Sequence, residues 1–140
     1  MTRTVAFVAV WAVFVTACVP QQGPWFNEAG RRLEGSEVVE FTGFNQCDQE
    51  SVTFIRFFGD QYAKDPEGVL GQLTSAEGRP LSFAILDEPP EGTEPTGIRQ
   101  GDREIYIDPA TRSDYLYIRL GSGQVERWPR AEVPCEREDQ

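Results

Sequence analysis

From Glu37 onward, apolar and polar residues alternate in short runs, a period of two that is typical of half-buried β-strands. The runs are rich in β-branched and aromatic residues, and turn-forming Gly, Pro, Asp and Ser separate them. No helical periodicity reaches ten residues in this part of the sequence. The pattern predicts six strands and two weaker ones: 38–44, 51–58, 81–86, 103–107, 115–120 and 124–128, with 61–64 and 69–73 as the weaker pair.

Turn sequences connect these predicted strands. Asp65-Pro66-Glu67-Gly68 has the residues of a type I turn, and Asp108-Pro109 and Gly121-Ser122-Gly123 separate three C-terminal strands in the manner of a meander. The segment 87–97, with four acids and three prolines, is interpreted as a solvated loop. The sequence therefore predicts a mainly β domain, a small antiparallel sandwich or partly open barrel with a C-terminal β-meander.

The N-terminus has the pattern of a bacterial export signal. Arg3 gives a cationic start, and residues 4–15 form an uninterrupted run of apolar or small residues, the length of a signal-peptide hydrophobic region. The run leads into Val15-Thr16-Ala17-Cys18, which resembles the lipobox of bacterial lipoproteins, where a Cys is diacylated and then exposed by cleavage. We therefore predict a signal peptide at 1–17, lipidation of Cys18, and export to the outer face of the cytoplasmic membrane.

Two other interpretations of the N-terminus stay open. An uncleaved transmembrane helix needs about 20 apolar residues, whereas this run is soon followed by Pro20 and the polar Gln21 and Gln22. An ordinary secretory signal would also be cut after Ala17, and Cys18 would then be a free thiol.

The cysteine count favours the lipoprotein. Three cysteines is an odd number for an exported chain. If Cys18 carries lipid, Cys47 and Cys135 remain as one pair in an oxidising compartment. A bridge between them would close a loop of about 88 residues and would stabilise the fold by roughly 4 to 5 kcal/mol in the chain-entropy model. We predict a Cys47–Cys135 disulfide.

Composition divides the mature chain into a linker and one domain. Residues 18–36 contain the lipidated Cys followed by Gly, Pro and polar side chains, and are predicted to be a flexible tether. A near-helical spacing of apolar residues there is short and interrupted by glycine, which argues against a helix. The remaining segment, 37–140, has the length of a single domain.

The charge limits the possible partners. The chain has 23 acidic and 13 basic residues, a formal net charge of −10 at pH 7. Such a surface repels phosphate backbones and anionic headgroups, so nucleic acid is not expected as a partner and membrane attachment must come from the lipid anchor.

Several kinds of catalytic chemistry are excluded by the residue types present. The chain has no His, which removes Ser-His-Asp and Cys-His arrangements and His-based metal sites. It has no CxxC motif, P-loop or GxGxxG fingerprint. Asp87, Glu88, Glu91 and Glu94 could gather around calcium but do not have EF-hand spacing. We expect no catalytic residue, no metal and no cofactor.

One short segment at the end of a predicted strand is a candidate for binding. Arg127-Trp128-Pro129-Arg130 places an aromatic between two cations in an acidic protein. Strand alternation would turn Trp128 outward if Val125 faces inward, and an exposed Trp beside guanidinium groups has the composition of an interface hot spot. Closure of the core by Trp128 is the competing interpretation. Arg127, Trp128 and Arg130 are the candidate partner-binding residues.

Four segments carry a resemblance to a family: 51–55 (SVTFI), 62–70 (YAKDPEGVL), 103–107 (REIYI) and 125–130 (VERWPR). In these segments the chain resembles small exported lipoproteins of actinobacteria that have no assigned function. The resemblance agrees with a Cys47–Cys135 pair and implies no substrate, cofactor or catalytic residue.

Three functions remain in competition. The leading hypothesis is a non-enzymatic lipoprotein whose domain binds an envelope protein or cell-wall component, or has a structural role. The second is a carboxylate-dependent hydrolase of cell-wall saccharides, which would need two acids facing each other across a cleft. The third is a carrier of an apolar ligand, which would need an internal apolar cavity of at least about 300 Å³.

Overall fold

The computed structural model describes residues 24–45 and 50–131, and within these ranges the chain forms ten β-strands and no helix. These strands confirm the predicted mainly β fold for the part of the chain described. The predicted signal and all three cysteines lie outside the described residues. The strands are β1 (Val38–Asn45), β2 (Glu50–Phe57), β3 (Asp60–Lys64), β4 (Leu73–Thr74), β5 (Pro80–Leu81), β6 (Ala84–Leu86), β7 (Glu94–Gln100), β8 (Arg103–Ile107), β9 (Tyr115–Arg119) and β10 (Val125–Pro129).

The strands form two main antiparallel sheets and one short pair. The first sheet has the order β1-β2-β3, the second has the order β6-β10-β9-β8-β7, and β4 pairs with β5. Strands β7 to β10 follow one another as a meander, which confirms the predicted C-terminal meander and adds one strand to it. Strand β6 pairs with the other side of β10.

Some predicted boundaries were wrong. The segment 87–97 was expected to be a loop, yet β7 begins at Glu94 and is the outermost strand of the five-stranded sheet. Its register shifts between Pro95 and Arg99, an irregularity that accommodates proline at a sheet edge. The predicted strand 81–86 is interrupted, because β5 ends at Leu81 and β6 begins at Ala84.

The two main sheets share one hydrophobic core. The β-branched and aromatic residues that face inward from both sheets pack together there: Ile55, Phe57, Tyr62, Ile98, Ile105, Leu116, Ile118 and Trp128. The sheets also meet at one corner, where Tyr62 pairs with Arg130 and the Ala131 N–H donates to the Gln61 carbonyl at 2.9 Å. The described part of the chain is thus a sandwich joined along one corner, without closure into a barrel.

The second face of β1-β2-β3 is covered by the chain between β3 and β6. Phe54 and its neighbours pack against Val69, Leu70 and Leu73 of this segment. Its first turn is the predicted one, since the Gly68 N–H donates to the Asp65 carbonyl at 3.3 Å. The Asp65 carboxylate also accepts from the Val69 and Leu70 N–H groups, at 2.8 and 2.9 Å. These bonds hold the apolar residues of the segment over the sheet.

The prediction of a flexible tether over 18–36 was wrong from residue 24 onward. Trp25 and Leu33 are buried in the shared core, 1% and 7% exposed. The Leu33 N–H donates to the Trp25 carbonyl at 2.8 Å, so the chain doubles back on itself. We name residues 24–33 the N-terminal hairpin. The hairpin is ordered because its two apolar side chains cover the end of the core.

The N-terminal hairpin extends the five-stranded sheet beyond β7. Phe26 forms antiparallel bridges with Arg32 inside the hairpin and with Arg99 of β7. The Phe26 and Arg99 backbones exchange two hydrogen bonds of 2.9 Å each. At the tip, the Asn27 side chain accepts from the Ala29 and Arg31 N–H groups, at 2.9 Å in both cases. Such an Asx turn explains why a segment rich in polar residues has a defined conformation.

A two-residue turn joins β2 to β3. Phe57 pairs with Asp60, and the residues between them, Phe58 and Gly59, have φ values of 45° and 97°. Two successive positive φ values define a type I′ turn, in which Asn or Gly normally precedes the final Gly. Phe58 is 49% exposed, so its left-handed backbone is not the result of burying its ring.

Candidate functional site

The segment selected from the sequence does not form an exposed site, because Trp128 lies in the core. Trp128 is 0% exposed, and its Nε1–H donates to the Glu126 carboxylate at 3.0 Å. The expectation that Trp128 faces outward was wrong. Glu126 and Trp128 point into the molecule, and Val125 and Arg127 point to the other face of β10 by strand alternation.

Both arginines of the same segment are engaged within the domain. Arg127 lies 4.5 Å from the centre of the Tyr115 ring and donates from Nε and Nη2 to the Ser82 carbonyl, at 3.1 and 2.9 Å. Arg130 donates to the Ser113 carbonyl at 3.3 Å, and its Nη2 is 3.5 Å from Asp60. These contacts stabilise loops and strand ends, so Arg127, Trp128 and Arg130 do not form one binding surface.

This segment also contains a buried acid. Glu126 is only 5% exposed, although it lies close to charged and polar residues in the sequence. Its two carboxylate oxygens bind different partners, Trp128 Nε1 and Lys64 Nζ, each at 3.0 Å. A buried charge is tolerated when it is paired and hydrogen-bonded in this way. Lys64 comes from β3, so the ion pair links the two sheets.

Three other buried carboxylates of the described chain form ion pairs as Glu126 does, whereas buried Asp65 accepts from backbone N–H groups. Glu40 of β1 binds Arg103 of β8 at 2.5 Å, and Glu104 of β8 binds Arg99 of β7 at 3.0 Å. Asp114 binds Arg79 at 2.5 Å, with the acid buried and the arginine exposed. Glycoside hydrolysis needs two carboxyl groups that face a common cleft. These acids instead form ion pairs with cations of neighbouring elements, and such pairs stabilise the fold.

Tyr62 is the most deeply buried ionisable group at the corner where the sheets meet. Its side chain is 0% exposed, and its hydroxyl donates to the Arg112 carbonyl at 2.7 Å. Burial raises the pKa of Tyr62 above its ordinary value, and the nearby Asp60 carboxylate acts in the same direction. Burial also raises the pKa of Tyr117. Both phenols are therefore held in the neutral form, as expected for structural groups.

Surface depressions occur near the segment between β3 and β6. One, of about 460 Å³, is lined by Leu73, Thr74, Ser113, Arg130 and neighbouring residues, and another, of about 320 Å³, lies on the other side of Leu73. Both are open to solvent and have mixed polar and apolar walls. They lack the enclosed apolar character that a carrier of an apolar ligand would need.

No group of three acids suitable for a metal ion occurs among residues 24–45 and 50–131, which include the acidic segment from Asp87 to Glu94.

Sequence analysis missed one row of exposed side chains at the edge of the domain. Arg32, Phe26 and Arg99 are successive cross-strand neighbours, and Phe26 is 38% exposed. Cross-strand neighbours point to the same face of a sheet. We name these three residues the edge row. The turn residues Asn27 and Gly30 are the sequence signal that could have indicated the hairpin, but its pairing with β7 depends on tertiary contacts.

Comparisons with protein-family models, with curated proteins and with solved structures found no match. Within the described residues, no helix is long and apolar enough to cross a membrane.

Proposed function

We propose that this protein is a non-enzymatic bacterial lipoprotein, anchored through Cys18 at the outer face of the cytoplasmic membrane. Its small acidic β domain would bind an envelope protein or cell-wall component, or have a structural role there. The observation that carries the proposal is the sequence Val15-Thr16-Ala17-Cys18 after an apolar run of signal-peptide length. The resemblance to small exported actinobacterial lipoproteins supports it.

The described domain offers support for a role without catalysis. Four of its five buried carboxylates, those of Glu40, Glu104, Asp114 and Glu126, are bound by arginine or lysine at 2.5 to 3.0 Å, and the fifth, Asp65, accepts from backbone N–H groups. Large apolar side chains are exposed at only three described positions, Phe26, Phe58 and Ile85. Contacts made by such a surface would be local and specific rather than a broad apolar interface.

The experiment that tests the proposal is intact mass measurement of the protein isolated from the membrane fraction. We expect loss of residues 1–17 and the mass of a diacylated Cys18. Two acyl chains give durable anchoring, so Cys18→Ser should release or mislocalise the protein. Cys47→Ser is the matched control and should leave the protein in the membrane fraction. An unmodified protein that begins at Met1 or at Cys18 would contradict the proposal.

A second measurement addresses the partner. The wild-type lipoprotein would be cross-linked in intact cells and recovered with its neighbours, with the Cys18→Ser protein as the control. We expect envelope proteins or wall fragments that depend on Cys18. If recovery is the same for both proteins, the anchor does not place the domain next to that partner.

A further inference from the structure

We infer that the edge of the domain formed by the N-terminal hairpin rests on the membrane, with Phe26, Arg32 and Arg99 in contact with the phospholipid headgroups. The inference rests on the lipidation of Cys18 proposed above, and it adds an orientation and a contact surface to that proposal.

Few residues lie between the anchor and the domain. Because Trp25 is 1% exposed in the core, only seven residue steps separate Cys18 from a fixed point. Fully extended, they span about 24 Å. A domain of roughly 100 residues has a radius of gyration of about 13 Å, which corresponds to a diameter of about 34 Å. The linker is shorter than the domain is wide, so the side opposite the hairpin cannot reach the bilayer.

The side chains of the edge row fit a contact with phospholipid headgroups. An aromatic ring that is partly exposed fits the boundary between headgroups and acyl chains, where aromatic side chains are enriched. Guanidinium groups donate in a planar fork that matches phosphate oxygens. Arg32 makes no ion pair with any residue of the described chain. Arg99 binds Glu104, yet its side chain is 57% exposed and retains donors that can face outward.

Charge affects which edge of the domain can meet the lipid. The protein as a whole is strongly acidic, with a net charge of −10, so long-range attraction to anionic lipid is absent. Attraction by the two arginines acts within a Debye length of about 8 Å, and a linker of at most about 24 Å lets the hairpin come within that range. Residues 24–37 together with Arg99 carry three arginines and three glutamates, so this edge is close to neutral. Glu37 is bound by Arg31 at 3.0 Å, whereas Glu28 and Glu34 are exposed. Because the rest of the protein is acidic, a near-neutral edge favours the orientation in which the edge row meets the lipid.

The opposite edge of the five-stranded sheet supplies an internal control. Ile85 of β6 is 57% exposed, more than Phe26. Four strand spacings separate β6 from β7, about 19 Å. Both positions are exposed and apolar, but only Phe26 lies at the edge that the linker joins.

The test uses tryptophan as a depth probe in the full-length lipid-modified protein. Phe26→Trp and Ile85→Trp variants would be reconstituted into vesicles of equal parts phosphatidylglycerol and phosphatidylcholine that carry a headgroup spin label. Emission of the unsubstituted protein, which has buried Trp25 and Trp128, is subtracted. We expect the added emission to be quenched for Phe26→Trp and to persist for Ile85→Trp. Equal quenching of the two variants, or stronger quenching of Ile85→Trp, would overturn the inference.

The mass of Cys18 is measured on the same samples, which separates the two proposals. Absence of the acyl groups would overturn the proposed lipoprotein function and the orientation with it. Acylated protein in which Phe26→Trp is not quenched would overturn the orientation alone.

The contribution of the cations is tested by a change of one charge unit in the Phe26→Trp background. Arg32→Gln should reduce quenching in the anionic vesicles. Gln124→Glu makes the same change of net charge at an exposed residue in the turn between β9 and β10, and should leave quenching unchanged. An equal loss for both variants would mean that net charge, and not the edge row, determines the contact, and would overturn the assignment of Arg32.

Discussion

Trp128 donates its Nε1–H to Glu126, two residues earlier on β10, and the same carboxylate binds Lys64 of β3. Trp128 therefore stabilises the Glu126 carboxylate, the acid of a buried ion pair that joins the two sheets. A second buried tryptophan, Trp25, has no partner for its Nε1–H among the described residues. Both side chains are buried, and Trp25 packs against the Arg103 guanidinium, 5.0 Å from its ring centre, where Trp128 has the hydrogen bond. The two residues can therefore be compared directly in experiment.

The first prediction compares Trp128→Phe with Trp25→Phe. Trp128→Phe leaves a buried carboxylate oxygen without its donor and should lower the free energy of unfolding by about 1.5 to 3 kcal/mol. Trp25→Phe removes an N–H that has no partner and should cost under about 1 kcal/mol. Denaturant unfolding of both variants checks this. Equal losses would mean that the lost ring volume, and not the hydrogen bond, determines stability at these positions.

The second prediction concerns the N-terminal hairpin. If residues 24–33 belong to the domain, Trp25→Ala should cost about 3 to 5 kcal/mol, because it opens a cavity in the shared core. Phe26→Ala, at the next and exposed position, should change the free energy of unfolding by about 0.5 kcal/mol or less. If Trp25→Ala leaves the free energy of unfolding unchanged in denaturant unfolding, the flexible tether predicted from composition would be the better description of these residues.

The third prediction follows from the raised pKa of Tyr62. A group whose pKa is higher in the folded than in the unfolded state contributes its full stabilisation at pH values below its unfolded-state pKa, here 10.0. That stability is lost as pH rises from the unfolded to the folded pKa, because only the unfolded chain releases the proton. The free energy of unfolding should therefore fall above pH 10, and it should fall less steeply for Tyr62→Phe. If the free energy of unfolding falls equally steeply above pH 10 in the wild type and in Tyr62→Phe, Tyr62 is not the group responsible for the loss of stability.

The sequence predicted those features that depend on local alternation and turn chemistry. It missed those that depend on contacts between residues distant in the sequence. The central strands, the 65–68 turn and the C-terminal meander follow from local patterns. Strand β7 was missed because Pro95 and Gly97 mark loops, although an outermost strand with a register shift accommodates both. The direction of Trp128 was missed because Val125 was taken to face inward, whereas Val125 and Trp128 are both buried on opposite faces of β10. The cation bound to Glu126, Lys64, is distant in sequence, so no local pattern could show that pairing.

The fourth prediction concerns the turn between β2 and β3. Phe58 holds a positive φ of 45°, at which a side chain other than Gly or Asn is strained. Phe58→Asn should raise the free energy of unfolding by up to about 1 kcal/mol, since strain of about 1 to 3 kcal/mol is relieved and only part of an aromatic contact is lost. Gly59→Ala is the converse test. A Cβ there meets no atom within 4 Å, so any loss of stability must come from the backbone.

The bridge predicted between the two remaining cysteines can be examined from the described residues nearest to them. Ala131 pairs beside Gln61 of β3, and Gln61 lies opposite Arg56 of β2. Asn45 pairs with Glu50 at the far end of β2. Six residues along β2 correspond to about 20 Å, and three strand spacings to about 14 Å, so Ala131 and Asn45 are about 24 Å apart across the sheet.

The last prediction is the Cys47–Cys135 disulfide. Six residue steps in total lead to these cysteines from Asn45 and Ala131, a reach of about 21 Å. The usual Cα separation of about 4.4 to 6.8 Å in a disulfide extends this to about 27 Å, which exceeds the gap by only a little. The described residues on either side therefore leave the two cysteines within reach of each other. Non-reducing peptide mapping should find the two cysteines linked, and reduction should lower the free energy of unfolding by roughly 4 to 5 kcal/mol in the entropic model. The single and double Cys→Ser variants should then be equally destabilised, since each removes the same bond. Two free thiols in the exported protein, or additive losses in the double variant, would show that the bond does not form.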